Sequence, residues 1–186
     1  MKIYVATHNA HKLREIGEIL PGCEIVADDP DAEETEETFA GNALIKVRAI
    51  AARHRGAWSM ADDSGLEVEA LGGAPGVRSA RYAGEPSSTP ANNALLLRNL
   101  EGVSDRAARF VCAIALVDPA GREHVVEGIC PGRIATEPSG AQGFGYDPLF
   151  IPDGHDRSFA DLGDAEKNRI SHRGRALAAA KAIMVE

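Results

Sequence analysis

The chain has 186 residues, of which 44% are hydrophobic and 26% are charged, a balance typical of one soluble globular domain or of two lobes that share a core. Its formal net charge of −8 argues against a nucleic-acid-binding protein, because such a protein needs a basic face to displace counterions. No apolar run approaches the ~20 residues of a membrane span, and MKIYVATHN turns polar too soon for a signal peptide, so we expect a cytoplasmic protein. Three widely spaced cysteines without a CxxC pair predict free thiols in a reducing compartment: Cys23, Cys112 and Cys130.

The first third of the chain predicts two short strands, each followed by a helix. Residues 3–6 are apolar enough for a buried strand, and the helical spacing of apolar residues after them ends at Pro21-Gly22. A second strand is predicted near residues 23–27. The acidic run DDPDAEETEE follows it, and the next helix carries Asn42 and Lys46, four residues apart, on one face.

The middle of the chain predicts two strands around a pair of carboxylates and then a helix. The first strand is expected to end at Asp62-Asp63, with a sharp turn at Ser64-Gly65, and LEVEAL alternates like a second, half-exposed strand. Farther on, Thr89-Pro90 predicts the start of a helix, with the threonine as its cap and the proline in its first turn.

The second half predicts a β-hairpin, a glycine-rich loop and a C-terminal helix. RFVCAIALV and EHVVEGIC flank a turn at residues 118–121, and SGAQGFGYDP leads into the apolar residues 149–151. A polar segment, PDGHDRSFADLGD, then precedes a final helix from about Ser171 to Met184. Strands and helices are mixed, with one antiparallel pair, so we expect an α/β fold in which helices flank a mixed central β-sheet.

The turn THNAHK, from Thr7 to Lys12, joins the first strand to the first helix and could hold a phosphate. A helix N-terminus offers unpaired N–H groups and a positive dipole end, and this one adds a hydroxyl, an amide and a lysine. The Walker pattern GxxxxGK[ST] is absent. In the alternative interpretation, Asn9 caps the helix and Lys12 is a solvated surface residue.

The adjacent carboxylates of Asp62 and Asp63 need an explanation, because like charges repel each other and burial adds a desolvation cost. A cation, or a proton that must be moved, would explain them. Mg²⁺ prefers oxygen ligands, so one glutamate of the acidic run could meet Asp63 and hold the ion, while a spare carboxylate oxygen takes a proton from an attacking water. In the alternative, the acidic run is a solvated loop and Asp62 caps a turn.

Two segments near the C-terminus gather groups that suit a nucleobase. Phe144 lies between two glycines, which predicts an aromatic face on a loop whose backbone passes close to a ligand, and base stacking is worth about 1–3 kcal/mol. Lys167, His172 and Arg173 place three donors within seven residues. The alternatives are Phe144 as a core side chain, Tyr146 hydrogen-bonded at a corner, and a polar first turn of the last helix.

Five motifs in this order together resemble the inosine triphosphate pyrophosphatase family: ATHNAHK, EETEETFAGNALIK, ADDSGLEVEALGGAPGVRSARY, GFGYDPLF and EKNRISHRG. The resemblance extends from about residue 3 to residue 180. It implies a homodimer whose subunit, residues 1–186, is a single domain of two lobes on an elongated mixed sheet, with the active site in the cleft between the lobes. It also implies a Mg²⁺-dependent enzyme that hydrolyses ITP, dITP or XTP to the nucleoside monophosphate and pyrophosphate and so cleanses the nucleotide pool.

By this resemblance, Asp63 is the general base and a metal ligand, and Glu34 is the other metal-binding carboxylate. Neighbouring Glu33 stays a candidate, because the register of EETEETF is open by one residue, and His8 stands where many relatives have glycine. The residues that the resemblance assigns to substrate binding are Thr7, His8, Asn9, Ala10, His11, Lys12, Asn42, Lys46, Ser64, Phe144, Gly145, Tyr146, Asp147, Lys167, His172 and Arg173.

Within that set, the resemblance gives each segment its own part of the substrate. Thr7 to Lys12 hold the triphosphate, Asn42 and Lys46 line the phosphate channel, and Phe144 to Asp147 pack around the base. His172-Arg173 read the 6-position of the purine. Hypoxanthine and xanthine accept hydrogen bonds there, whereas adenine presents an amino group, and an unpaired buried polar group costs about 1–3 kcal/mol.

The sequence leaves three rival functions open. Asp63 could be a phospho-acceptor, as in aspartate-nucleophile phosphatases, although these need a DxD spacing and the two aspartates here are adjacent. The enzyme could instead act on pyrimidine or modified nucleotides, or the chain could be a non-catalytic regulator that binds nucleotides. A pure binder has no use for paired acids, so we favour hydrolysis of a purine nucleoside triphosphate, with no nucleic acid or membrane as partner.

Overall fold

The computed structural model describes residues 1–185 of the chain as an α/β protein. Its strands are β1 (Lys2–Ala6), β2 (Glu24–Asp28), β3 (Trp58–Val68), β4 (Ala107–Val117), β5 (Glu123–Ile134) and β6 (Phe150–Pro152). Its helices are α1 (Ala10–Ile19), α2 (Phe39–Ala51), α3 (Thr89–Asn99), α4 (Phe159–Leu162), α5 (Asp164–Ile170) and α6 (His172–Met184). Two short 3₁₀ segments, Glu69–Leu71 and Gly76–Arg81, lie between β3 and α3.

One mixed sheet holds the six strands of the described chain, in the order β2-β1-β3-β4-β5-β6. Strand β1 is parallel to both of its neighbours, and Ile3 lies opposite Ile25 on β2 and Trp58 on β3. Strand β6 instead runs antiparallel to β5, with Arg133 opposite Ile151. The predicted α/β fold, a mixed sheet flanked by helices, is confirmed.

The described residues divide into two compact units, and the first comprises Met1–Asp63, Cys112–Gly128 and residues 172–185. Helices α1 and α6 cover one apolar cluster of this unit, which includes Met60 of β3. Helix α2 covers a second cluster, which includes Ala61 of the same strand. Consecutive residues of β3 therefore enter different clusters, as the alternation of side chains along a strand requires.

The second unit comprises Ser64–Val111 and Ile129–Ser171. Its core is aromatic: the ring centroids of Phe110 and Phe150 lie 4.6 Å apart, and those of Phe150 and Phe159 lie 5.1 Å apart. Each unit is assembled from segments that are distant in the sequence. The cleft between lobes that the resemblance implies stays a prediction.

The strand that carries the adjacent aspartates is longer than the sequence predicts. Strand β3 is continuous from Trp58 to Val68, so the predicted strand end at Asp62-Asp63 and the predicted turn at Ser64-Gly65 are both wrong. The two aspartates lie in the middle of the strand, and both are buried. The reason is tertiary, because cations from other elements offset the repulsion that made a strand end the simpler expectation.

Two helix predictions also change. Helix α3 is capped by Ser88, whose Oγ accepts a hydrogen bond of 3.3 Å from the backbone nitrogen of Ala91, so Thr89 is the first helical residue and not the cap. The polar segment before the last helix, for which the pattern predicted no element, contains α4, whose cap is Ser158. Both caps are serines that satisfy N–H groups left open by a first turn.

Most of the remaining boundaries agree closely with the sequence pattern, although helix α5 was not predicted. Asn9 caps α1, as the alternative interpretation of the THNAHK turn expected. Strands β4 and β5 are neighbours in the sheet, and the turn between them is closed by a hydrogen bond of 2.9 Å from the Gly121 nitrogen to the Asp118 oxygen. Helix α6 spans nearly the predicted residues.

In residues 1–185, no helix has both the length and the apolar character that crossing a membrane requires.

Candidate active site

Asp62 contacts three cations of the first unit, two through its carboxylate and one through its backbone oxygen. Its Oδ2 lies 3.1 Å from Lys12 Nζ on α1 and 3.2 Å from Arg173 Nη2 on α6. Its backbone oxygen accepts a hydrogen bond of 2.6 Å from Lys46 Nζ on α2. Burial alone would raise the pKa of Asp62, but the surrounding positive charges outweigh it and hold that pKa well below its usual range, so Asp62 stays ionised.

The carboxylate of Asp63 is in a different electrostatic environment. Its Oδ1 lies 4.0 Å from Lys46 Nζ, and its Oδ2 is buried without a hydrogen-bond partner among residues 1–185. Burial raises the pKa of Asp63 to about 6; Lys46 opposes the rise, and the nearby charge of Glu34 adds to it. Two adjacent aspartates thus differ in how readily they hold a proton.

The alternation of side chains along β3 explains this difference. Asp62 follows Met60 on the face that α1 and α6 cover, and these helices supply Lys12 and Arg173. Asp63 follows Ala61 on the face that α2 covers, where it meets Lys46. The pair needs no turn to be tolerated, because the two carboxylates point to opposite faces of the strand. Lys46 reaches the backbone oxygen of Asp62 and lies near the carboxylate of Asp63.

Helix α2 ties the acidic run to the site. Lys46 Nζ lies 2.9 Å from Glu34 Oε1, and burial of this lysine is outweighed by the carboxylates around it, which raise its pKa. The Asn42 side chain accepts a hydrogen bond of 2.9 Å from the Glu36 nitrogen and donates one of 3.2 Å to the Glu36 oxygen. This part of the run is therefore held in place, whereas Glu33 is exposed to solvent.

The turn from Thr7 to Lys12 is ordered by its own side chains. Thr7 Oγ1 accepts a hydrogen bond of 3.0 Å from the Asn9 nitrogen, and Asn9 Oδ1 accepts from the nitrogens of His11 and Lys12 at 3.0 and 3.3 Å. These two N–H groups are thus used by the cap. His8, Ala10 and His11 are exposed, but the Lys12 ammonium reaches Asp62, so the alternative of a solvated lysine is wrong.

The second unit gathers the predicted base-binding residues around Asp147. Its Oδ2 accepts hydrogen bonds of 2.9 Å from the Phe144 nitrogen and 2.7 Å from Lys167 Nζ, and that ammonium lies 4.6 Å from the centroid of the Phe144 ring. Gly143 has φ of +75°, and a Cβ there would overlap the Asp147 carboxylate. The loop can therefore close on Asp147 only with glycine at this position.

Other side chains fix this loop from outside it. Asn93 of α3 donates a hydrogen bond of 3.2 Å to the Gly145 oxygen. The Tyr146 hydroxyl donates one of 2.6 Å to the Ser79 oxygen, which is the corner role that the alternative interpretation gave it. Phe144 remains half-buried, so part of its ring is open to solvent.

Of the predicted site residues, the first unit brings together Lys12, Glu34, Asn42, Lys46, Asp63 and Arg173, and the second brings together Phe144, Gly145, Tyr146, Asp147 and Lys167. His172 is buried at the start of α6, and Ser64 is half-buried in β3. Sequence reasoning missed Glu15, which is buried and ion-paired with Arg173 Nη1. The apolar spacing of α1 does not point to Glu15, because neighbouring residues of a helix are about 100° apart around its axis.

The acidic groups of the first unit fit a divalent cation. Glu34 and Asp63 both face the Lys46 ammonium, and Asp63 Oδ2 is a buried acceptor without a partner in the described chain. Within residues 1–185, no three His, Cys, Asp or Glu side chains group closely enough to hold a metal by themselves. Mg²⁺ suits such a site, because it takes one or two carboxylates and completes its octahedron with waters and substrate phosphates.

The chain is similar to proteins of known sequence and structure. A model of the Ham1 family matches residues 3–183. The dITP/XTP pyrophosphatase of Leifsonia xyli subsp. xyli is 50% identical, with 96% of this chain and 93% of that protein covered, and the one of Porphyromonas gingivalis is 51% identical, with 95% and 94% covered. Among solved structures, the Ham1 protein of Staphylococcus aureus has a TM-score of 0.88 at 40% identity, covering 99% of this chain and 98% of its own. A HAM1 protein from Coxiella burnetii has a TM-score of 0.87 at 42% identity, covering 100% and 98%.

Neutralising the two adjacent aspartates should change stability in opposite directions. At pH 8 without metal, Asp62→Asn should lower the free energy of unfolding by about 3 kcal/mol, because it leaves Lys12 and Arg173 buried without their shared anion. Asp63→Asn should raise it by about 3 kcal/mol, because it removes a buried charge whose pKa is raised from 3.8 to about 6. Urea unfolding of both variants in EDTA measures the difference.

The pH dependence supplies the control for this pair. Between about pH 4 and pH 6, the folded chain keeps a proton on Asp63 that the unfolded chain releases, so the free energy of unfolding falls as the pH rises through this window. The advantage of Asp63→Asn should therefore be complete above about pH 6 and absent below about pH 4. A destabilising effect of Asp63→Asn at pH 8 would contradict the environment described for this carboxylate.

Proposed function

This chain belongs to the Ham1 family, and from that premise we propose that it is a nucleoside triphosphate pyrophosphatase for non-standard purine nucleotides. Its substrates are ITP, dITP and XTP, and its products are the nucleoside monophosphate and pyrophosphate. The observation that carries this function is the buried Asp63, whose pKa is raised to about 6 and which lies beside a lysine and a second carboxylate. Relatives that are about half identical over nearly their full length carry the name dITP/XTP pyrophosphatase.

Asp63 acts as the general base. A general base works best when its pKa lies near the working pH. Burial raises the pKa of the Asp63 carboxyl from 3.8 to about 6. Its buried Oδ2, which lacks a partner in the described chain, can take the proton of a water that attacks the α phosphorus. The bond from the α phosphorus to the bridging oxygen then breaks, and pyrophosphate leaves. Asp62 cannot share this task, because its Oδ2 is committed to Lys12 and Arg173 and its pKa is held low.

Lys12 and Lys46 bind the phosphates. The triphosphate carries about four negative charges, and a chain with a net charge of −8 needs local cations to accept it. Each ammonium has three donors, so it can keep its carboxylate partner and still donate to a phosphate oxygen. Asp62 and Glu34 then fix the two lysines in position before the substrate arrives.

Glu34 and Asp63 would hold the metal ion, which we propose is Mg²⁺. When bound, the ion supplies positive charge for the leaving pyrophosphate and lowers the pKa of a bound water. Its charge also suits the cluster, in which the carboxylates of Glu15, Glu34, Asp62 and Asp63 outnumber the three cations Lys12, Lys46 and Arg173. Glu34 takes this role rather than Glu33, because Glu34 faces Lys46 and Glu33 is exposed.

The base is recognised by stacking and by hydrogen bonds to O6. Phe144 presents its half-open ring, with Lys167 fixed beside it by Asp147. Lys167 donates to the O6 acceptor of hypoxanthine or xanthine, and adenine offers it only another donor. The Arg173 guanidinium is 1% exposed and is committed to Glu15 and Asp62, so we leave it out of base recognition. Assembly as a homodimer and a cytoplasmic location stay predictions from the sequence.

A substrate panel tests the function directly. Purified protein is incubated with ITP, dITP, XTP, ATP, GTP and dTTP, with and without Mg²⁺, and pyrophosphate and orthophosphate are quantified separately. We expect pyrophosphate from ITP, dITP and XTP only when Mg²⁺ is present. Orthophosphate as the first product would favour the phospho-acceptor rival, equal turnover of dTTP would favour the pyrimidine rival, and binding without turnover would favour the regulator.

The base is tested by a variant that should fold well and yet be inactive. Asp63→Asn should lower kcat for ITP by at least about a thousandfold, because the amide cannot take the proton of the attacking water. Its melting temperature without metal should equal or exceed that of the wild type, so that loss of fold cannot explain loss of turnover. Pyrophosphate release at more than about a tenth of the wild-type rate would remove Asp63 from this role.

The metal ligand is tested by two neighbouring glutamates. Glu34→Gln should raise the Mg²⁺ concentration needed for half-maximal activity by at least about tenfold, because the ion loses one of its two carboxylates. Glu33→Gln changes the same charge at an exposed position and should leave that concentration within about twofold of the wild type. The reverse ranking of the two variants would assign the metal to Glu33.

A further inference from the structure

Gly128 on β5 lies directly against the first turn of α6. A Cβ atom at this position would overlap the backbone oxygen of His172 and the backbone nitrogen of Ala176, and it would lie 3.1 Å from the Ala176 Cα. These are backbone atoms, which cannot swing aside as the end of a flexible side chain could. Any larger residue at position 128 must therefore push the helix away from the strand.

Backbone conformation does not explain this glycine. Gly128 lies inside a regular strand, and it is not among the glycines of the described chain that have positive φ. An L-residue could adopt its φ and ψ without strain. Position 128 therefore requires glycine because glycine has no side chain, and helix α6 packs into the space that a side chain would fill.

The first turn of α6, which packs against Gly128, contains the buried guanidinium of Arg173. Arg173 is 1% exposed; its Nη1 donates to Glu15 on α1, and its Nη2 donates to Asp62 on β3 at 3.2 Å. The guanidinium fork is rigid and planar, so both bonds hold only while α6 keeps its place relative to α1 and β3. A shift of the helix would leave buried carboxylates without their cation.

The oxygen of Asp62 that accepts from Arg173, Oδ2, is also the one that contacts Lys12. Asp62 Oδ2 lies 3.2 Å from Arg173 Nη2 and 3.1 Å from Lys12 Nζ. Its other oxygen, Oδ1, has no hydrogen-bond partner in the described chain, so no hydrogen bond on that side would hold the carboxylate if Arg173 moved. The ammonium of Lys12 would then lose the fixed anion that orients it.

We propose that Gly128 is a positioning residue for the phosphate-binding end of the site and acts through Arg173 and Asp62 on Lys12. The inference rests on the proposed function, in which Lys12 binds the triphosphate. It gives Arg173 a task that does not depend on the base. It also connects the start of α6, where the predicted base-reading residues lie, with the lysine that binds phosphate.

The test compares two alanine variants on one face of β5. Gly128→Ala adds a methyl group against α6, whereas Val126→Ala, two residues earlier, removes volume from the same core and destabilises without pushing the helix. The probe is inorganic tripolyphosphate, which presents phosphates without a base, and calorimetry measures its Kd. We expect Gly128→Ala to raise Kd about tenfold and Val126→Ala to stay within about threefold of the wild type.

A double-mutant cycle separates positioning from general loss of stability. If Gly128 acts through Arg173, then Gly128→Ala should raise Kd by less than about threefold when Arg173→Lys is already present. In ITP hydrolysis, Gly128→Ala should raise KM more than it lowers kcat, because Asp63 keeps its place on the other face of β3. Equal effects of Gly128→Ala in both backgrounds, or an equal loss of binding in Val126→Ala, would overturn the proposal.

A second pair of variants serves if Gly128→Ala does not unfold cooperatively. Arg173→Lys keeps the charge but cannot hold both carboxylates in one fork, and it should weaken tripolyphosphate binding about tenfold. Arg175→Lys makes the same change at an exposed position of α6 and should bind like the wild type. Wild-type binding by Arg173→Lys would overturn the proposal.

The outcomes for the two proposals can be told apart. A wild-type chain that hydrolyses ITP, together with a Gly128→Ala variant that binds like the wild type, overturns the role of Gly128 and leaves the function standing. A wild-type chain that binds tripolyphosphate but leaves ITP intact overturns the pyrophosphatase, and the Kd values of the variants still decide on Gly128. A wild-type chain that neither binds tripolyphosphate nor hydrolyses ITP overturns both.

Discussion

The ion pairs of the buried Asp62 carboxylate with Lys12 and Arg173 are the interaction on which the arrangement of the first unit's site depends. Three elements, α1, α2 and α6, each send a cation to this residue, two to its side chain and one to its backbone oxygen. A buried anion is costly unless it is paired, and here the positive charges outweigh the burial, so the aspartate stays ionised. These contacts connect α1, α2 and α6 to β3.

This arrangement leaves its neighbour free for chemistry. Asp63 faces α2 on the other side of β3, where burial and Glu34 raise its pKa while Lys46 only partly offsets them. A strand is a stiff way to separate two adjacent carboxylates, because successive side chains must point to opposite faces. Asp62 can therefore hold Lys12, while Asp63, with its raised pKa, can take a proton. In the second unit, one carboxylate likewise holds two groups, because Asp147 accepts hydrogen bonds from both Lys167 and the Phe144 backbone.

Most of the fold could be predicted from the sequence because it depends on local pattern. The spacing of Leu13 and Ile16, the cap at Asn9 and the hairpin turn after β4 act over a few residues, and the structure has them where the pattern places them. The family resemblance likewise depends on short motifs, and the match over residues 3–183 confirms it. The strand end at Asp62-Asp63 was wrong for a reason of the opposite kind, because the cations that permit a continuous strand come from residues up to 111 positions away.

By itself, the sequence determined which chemical groups the protein has and which segments carry them: paired acids, a lysine turn, an aromatic loop and a donor-rich C-terminal helix. Only the tertiary structure decided which of these groups contact each other, which are buried and which have shifted pKa values. It made Asp62 an anchor, gave Asp63 a raised pKa, buried Glu15 against Arg173 and required glycine at position 128. The physical reason is that burial and the distance between charges set the ionisation of a carboxylate, and both arise only when distant segments pack together.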